Sequence, residues 1–131
     1  MAAIFLDTTV LVDALRGGPA GARVRVLRRD GFTPFVCAIN VDELWRGARG
    51  PTQEKEVARL LRGLRVVPLR AEEGERAGRW RRDFGARGIT LGQADCLIAA
   101  AAVTVGARLA TANVSDFPMP ELVVEDWSDS R

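Results

Sequence analysis

Ala3-Ile4-Phe5-Leu6-Asp7-Thr8-Thr9-Val10-Leu11-Val12 passes from a short apolar run through an acid and two threonines into a second apolar stretch. A run that is apolar at every position has no polar face, which marks a strand buried on both sides in a parallel sheet. Thr8 to Arg16 reads as a helix, stopped by Gly17-Gly18-Pro19. A buried strand that delivers an acid at its carboxyl end and turns at once into a helix opens an α/β unit.

The pattern repeats along the chain. Ala20 to Arg29 alternates apolar and arginine positions at helical spacing until Asp30-Gly31 turns it. Pro34 to Ala38 is a second buried strand, feeding a helix that begins near Asn40 and ends at Gly47 or Gly50-Pro51. Thr52 is placed to cap the next helix, with Glu54 and Glu56 at its positive end, and that helix runs to Gly63. Leu64 to Leu69 is a third strand candidate. Ala71 to Arg87 is a long charged helix closed by Gly88. Thr90 is placed to cap a helix with an apolar stripe of Leu91, Ala94, Ile98, Ala102 and Val105. Arg108 to Thr111 is a fourth strand and Leu122 to Val124 a fifth at the edge. Strands alternating with helices predict an α/β sandwich around a mostly parallel sheet.

At 131 residues, with no repeat or linker, the chain is read as a single domain over 1–131. A hydrophobic share of 47% supplies a core without staples. Cys37 and Cys96 sit in apolar surroundings and read as buried, reduced thiols. The start of the chain shows no secretory pattern, and the longest apolar run, Leu97 to Val105, is too short to span a bilayer. A cytoplasmic protein with no membrane association is expected.

The chain contains no histidine and no tyrosine. Ser-His-Asp and Cys-His catalysis, imidazole zinc sites and RNA cleavage by a histidine pair are therefore excluded. Chemistry near neutral pH falls to carboxylates, arginine, Lys55 or a metal. The net charge is only +2, which permits contact with a phosphate backbone without demanding it.

The acids are well placed for a metal. Asp7 follows the first strand, Asn113 and Asp116 follow the fourth, and Glu43 and Asp95 fall in the first turns of two helices. Functional groups in open α/β sheets gather at the carboxyl ends of strands. Four converging carboxylates repel one another and persist as anions when cations neutralise them. Mg²⁺ and Mn²⁺ take such oxygen ligands, lower the pKa of bound water and need no histidine.

Four segments, taken in order, carry a resemblance. They are Asp7-Thr8-Thr9 after its apolar strand, Asp42-Glu43-Leu44 with Gly47, Ala94-Asp95-Cys96-Leu97-Ile98-Ala99-Ala100, and Thr111-Ala112-Asn113-Val114-Ser115-Asp116-Phe117. Together they resemble the PIN-domain family, and within it the VapC toxins, the nuclease halves of bacterial VapBC toxin–antitoxin pairs. Each motif alone is weak; the ordered set is specific and covers essentially the whole chain. The resemblance implies a three-layer α/β/α sandwich and metal-dependent endonucleolytic cleavage of RNA, with tRNA or rRNA as substrates. Asp7, Glu43 and Asp95 are implied to hold Mg²⁺ or Mn²⁺, with Asp116 the fourth acid. Some members carry that acid where this chain has Asn113, which makes Asn113 an alternative or helper. Thr8 and Thr111 match supporting hydroxyl positions. A homodimer and a cognate VapB-type antitoxin complete the implied assembly.

Plainer readings stand beside these. Asp7 could be a helix N-cap, Asp95 a first-turn acid and Asp116 a turn residue before Phe117-Pro118. One of Asp42 and Glu43 should face solvent, and Asp13 reads as a surface or helix-pairing acid. Arg76, Arg79, Arg81, Arg82 and Arg87 could hold RNA, but a solvated helix face is the commoner origin of such a run. Trp45 and Trp80 are assigned no role in stacking bases, and Trp127 reads as an edge anchor. A haloacid-dehalogenase-type phosphatase is disfavoured because Thr9 stands where its second Asp belongs. A receiver domain lacks its late lysine. The remaining alternative is a catalytically silent protein of the same fold that binds RNA or a partner.

Overall fold

The strand that opens the chain is apolar throughout, and its last three residues, Ile4, Phe5 and Leu6, are buried. A computed structural model describes residues 2–128 and places β1 (Ala2–Leu6) at the centre of a five-stranded sheet. The ends of the expected 1–131 span, residue 1 and residues 129–131, lie outside the described residues. The elements then run α1 (Thr8–Leu15), α2 (Ala20–Val26), β2 (Phe32–Cys37), α3 (Ala38–Gly47), α4 (Gly50–Arg62) and β3 (Arg65–Val67). They continue with α5 (Ala71–Gly85), α6 (Gln93–Thr104), β4 (Arg108–Thr111), a 3-10 turn at Val114–Asp116 and β5 (Val124–Asp126).

The strand order is β3-β2-β1-β4-β5 and every pairing is parallel. Side chains alternate across the sheet as the pleat requires. Ile4, Leu6, Val36 and Ala110 face one core, which α1, α2 and α4 cover with Leu11, Ala20 and Val57. Phe5, Cys37 and Leu109 face the other, covered by Trp80 and Phe84 of α5 and Ile98 and Ala102 of α6. The result is the expected three-layer α/β/α architecture around an all-parallel sheet. Cys37 and Cys96 are buried free thiols in the second of these cores.

Several element boundaries differ from the sequence reading. Helix α2 ends at Val26, where turns carry the chain into β2. Helix α3 starts at Ala38, because Cys37 and Asn40 form a reciprocal capping pair: the Cys37 N–H donates to Asn40 Oδ1 at 2.8 Å, and the Asn40 N–H reaches back to the Cys37 sulfur. Glu43 consequently falls in the second turn. Helix α4 starts at Gly50, not after Thr52. Gly50 takes φ +79°, a conformation that favours glycine, Pro51 occupies the first turn, and the Arg49 N–H is taken up by Gln53 Oε1 at 2.7 Å. Glu54 and Glu56 thus lie beyond the first turn. Strand β3 is limited to Arg65–Val67, and the edge strand is shifted to Val124–Asp126. Thr90 does not cap α6: Leu91 is buried as an anchor, Gly92 is the extended N-cap, and the helix starts at Gln93.

From β1 the chain passes to β2 on one side of the sheet and from β4 to β5 on the other, so a crevice opens beyond the carboxyl ends of β1 and β4. The Asp7 N–H donates to Ala110 O at 2.9 Å, which locks the end of β1 to the end of β4.

Candidate active site

The crevice is an acidic cavity of about 370 Å³. Asp7, Glu43, Asp95 and Asp116 all line it, together with Thr8, Thr9, Arg16 and Asn113. Residues from four separate parts of the chain are therefore brought to one place. Thr111, buried beneath, acts through Asp7.

Asp7 occupies the N-cap position of α1 but its side chain makes no cap hydrogen bond. Instead Thr9 Oγ1 donates to Asp7 Oδ2 at 2.7 Å and Thr111 Oγ1 donates to the same oxygen at 2.8 Å. Each hydroxyl also accepts a backbone N–H, from Ala112 at 3.1 Å and Asn113 at 3.0 Å respectively. With those lone pairs occupied, both hydroxyl protons are directed at Asp7. Both bonds fall on Oδ2; Oδ1 takes part in neither.

Glu43 is held by a parallel device. Thr8 Oγ1 donates to Glu43 Oε1 at 2.6 Å, and Asn40 Nδ2 donates to Thr8 Oγ1 at 3.0 Å. The fully buried Asn40 also donates to Leu6 O at 3.2 Å, so β1, α1 and α3 meet in one hydrogen-bonded network. Asp42, beside Glu43, is exposed.

Asp95 is the third residue of α6, in its first turn, where the helix dipole favours an anion. Burial nevertheless dominates. It pushes the Asp95 carboxyl up, and the charges of Asp116, Asp7 and Glu43 add to it, to about 6. Among the charged neighbours Asp116 acts most strongly. Asp116 and Asn113 are exposed and sit on either end of the 3-10 turn; the Asp116 N–H donates to Asn113 O at 3.0 Å, and buried Phe117 fixes the turn to the core.

The donor set is oxygen throughout, the kind that hard divalent cations take. Among the described residues no three acidic or sulfur side chains form a ready-made cage. Mg²⁺ held by one or two carboxylates and waters requires none.

Residues 4–117 match the PIN domain family. The chain belongs to the PIN-domain family. Ribonuclease VapC10 of Mycobacterium tuberculosis is 36% identical over 118 residues, covering 90% of this chain and 88% of that protein. Ribonuclease VapC2 of Rickettsia felis is 27% identical over 129 residues, 93% of this chain and 96% of that protein. In fold, the chain is similar to a crystal structure of VapBC2 from Rickettsia felis bound to a DNA fragment from their promoter. The TM-score is 0.83 at 22% identity, with 95% of this chain and 98% of that chain covered.

Three residues of this PIN-domain site escape the sequence reading. Thr9 and Asn40 orient Asp7 and Glu43, but a hydroxyl or amide inside an apolar pattern announces no partner. Arg16 lines the cavity from the end of α1, where the sequence shows only the last residue before a glycine stop. Other candidates are placed elsewhere. Asp13 Oδ2 accepts the Ala20 N–H at 2.9 Å, joining α1 to α2. Four of the five arginines of the run from Arg76 to Arg87 are engaged locally: on α5 Arg79 pairs with Glu75, Arg82 pairs with Asp83 and Arg76 lies over Trp80, and just past the helix Arg87 lies over Phe84. Trp80 is core, and its Nε1 donates to Glu121 Oε2 at 2.7 Å. Trp45 is exposed, while Trp127 is buried beside β5, its backbone N–H donating to Thr111 O at 2.8 Å and its indole Nε1 to Glu125 Oε1 at 2.9 Å. Among the described residues no helix is long and apolar enough to cross a membrane.

Proposed function

We propose that this chain is a divalent-metal-dependent endoribonuclease and the toxin half of a VapBC-type toxin–antitoxin pair. The observation that carries the reading is the convergence of Asp7, Glu43, Asp95 and Asp116 on one cavity at the sheet's switch point. Relatives with the names of VapC ribonucleases support the substrate class, and similarity to VapBC complexes supports the partner.

In this reading Asp7, Glu43, Asp95 and Asp116 hold Mg²⁺ or Mn²⁺. When bound, the cation supplies the charge that neutralises the cluster and the acidity that makes water a nucleophile. The chain supplies the positioning. Thr9 and Thr111 fix the Asp7 carboxylate so that Oδ1 serves the cavity, and Thr8, itself fixed by Asn40, orients Glu43. Asp116 and Asn113 close the β4 side. The reaction is hydrolysis of an RNA phosphodiester, tRNA or rRNA being the expected source, and no histidine acid or base takes part.

The chain works as one nuclease domain over 1–131, as a homodimer in the cytoplasm, restrained by a VapB-type antitoxin. The test is incubation of purified, antitoxin-free protein with total cellular RNA in Mg²⁺ or Mn²⁺ and in EDTA, with Asp7→Asn alongside. Discrete fragments that require both metal and Asp7 are expected. Fragments that persist in EDTA or in Asp7→Asn contradict the metal centre, and no cleavage by folded wild-type protein favours the silent RNA- or partner-binding alternative.

A further inference from the structure

Arg16 stands at an unusual junction. It lines the acid cavity, and it also lines the two cavities that flank it. One, of about 330 Å³, lies between α1, α3 and α4; the other, of about 280 Å³, lies between α1 and the Trp127 edge. Among the described residues it is the one cation lining the acid cavity, against four carboxylates. Its guanidinium has no hydrogen-bond, ion-pair or ring partner among the described residues, a state it shares with Arg46 and Arg49, but of these three Arg16 alone lines the acid cavity. Arg16 is exposed and pairs with none of the four acids that share its cavity, so its donors are available to a ligand.

A phosphodiester entering this cavity meets strong negative potential. Cations at the carboxylates offset part of it, but they do not fix the orientation of the strand. A planar guanidinium does so, because its fork matches two phosphate oxygens. The flanking cavities supply what a cut inside a chain needs, namely room for nucleotides on both sides of the reacting phosphate.

We infer that Arg16 is the phosphate clamp of this site, gripping the backbone of a single-stranded RNA that runs from the α3–α4 cavity, across the acids, to the Trp127 side. The inference rests on the ribonuclease reading and adds to it a residue and a direction for the substrate. Arg16 binds substrate and neither donates nor accepts a proton in the reaction.

Two measurements test it. In steady-state cleavage of a defined RNA, Arg16→Ala is expected to lower kcat/KM about 10- to 100-fold, the scale of a lost charge-assisted bidentate bond. Most of the change should appear in KM, as for a contact made equally in ground and transition states. Arg16→Lys should recover part of the loss. The second measurement needs no cleavage: binding of a fluorescein-labelled single-stranded oligoribonucleotide to Asp7→Asn protein, with and without Arg16→Ala, across salt concentrations. Loss of Arg16 is expected to weaken binding and reduce the salt slope by about one. Arg29→Ala, near the start of β2 at the opposite end of the sheet, should change neither quantity. Equal binding with and without Arg16, or no measurable binding by the Asp7→Asn parent, overturns the inference. A wild-type protein that binds RNA through Arg16 but cleaves nothing upholds the clamp and sinks the nuclease reading, so the two failures are distinct.

Discussion

Glu73 on α5 and Asp95 on α6 are two carboxylates withdrawn from water and treated in opposite ways. Glu73 is fully buried. The Thr104 hydroxyl donates to its Oε2 at 2.7 Å, the Arg70 N–H donates to its Oε1 at 2.7 Å, and the Arg70 guanidinium adds two longer contacts. Thr104 first, then the Arg70 backbone and side chain, overcome burial and hold the Glu73 carboxyl down to about 2. Asp95 is only partly buried, yet among the described residues its carboxylate receives no hydrogen bond, and burial with three neighbouring acids pushes it up to about 6. The fold can satisfy a buried acid, and does so where the acid's task is to tie two helices together. In the acid cavity hydroxyls hold one oxygen each of Asp7 and Glu43, while Asp95 is given no donor at all among the described residues, which leaves carboxylate oxygens for a cation.

The contrast breaks most visibly by substitution in the acid cavity. Asp7→Asn and Asp95→Asn should each reduce RNA cleavage on the order of a thousandfold or more, the scale of losing a principal electrostatic group. The fold should survive, because an amide removes like-charge repulsion and keeps the shape; circular dichroism and a thermal melt beside the activity assay check both. A cavity acid whose loss unfolds the protein would belong with Glu73 instead.

Next in size is the support beneath the acids. Thr8→Val removes the hydroxyl that orients Glu43, and a loss of cleavage of about 10- to 100-fold is expected. Thr8→Ser should restore most of it. Glu73→Gln probes the opposite region. Trading the anion for an amide should lower stability by about 2 kcal/mol in denaturant melts, the scale of hydrogen bonds to a charged group, while leaving cleavage unchanged. Reduced cleavage at full stability would erase the distinction between the two regions.

Some of this contrast was readable in the residues alone. Asp7 stood out because an apolar run ended on it, and a mostly parallel sheet was legible from that run and from strands alternating with helices; that every pairing is parallel came from the structure. Helix starts were less legible. Thr52 and Thr90 look like caps by type, but Gly50 takes a positive φ at the start of α4, and buried Leu91 with Gly92 at the N-cap sets the start of α6. Those are tertiary decisions. Thr9, Asn40 and Arg16 were hidden for the same reason: a hydroxyl gains a meaning from Asp7 only when β1 and β4 are neighbours. The pairing of Glu73 with Thr104 joins two helices and has no local signature.

The smallest expected effect is in pH dependence. For metal-free protein, a folded Asp95 carboxyl near 6, raised from an ordinary value of 3.8, binds more protons folded than unfolded in that interval. Its contribution to stability therefore falls as pH rises from about 4 to about 6. Glu73, lowered from 4.5 to about 2, contributes stability that is present above 4.5 and lost as pH falls toward 2. Melting temperature against pH should show the first trend in wild type and not in Asp95→Asn, and the second in wild type and not in Glu73→Gln.

The most direct test of the claim that the acid cavity is built for a cation is the melting temperature at neutral pH during titration with Mg²⁺ or Mn²⁺. Wild type and Glu73→Gln should both be stabilised by the ion, as binding to the folded state requires. Asp95→Asn should start from a melting temperature no lower than wild type and gain much less. An equal gain in Asp95→Asn, or no gain in wild type, would contradict the account.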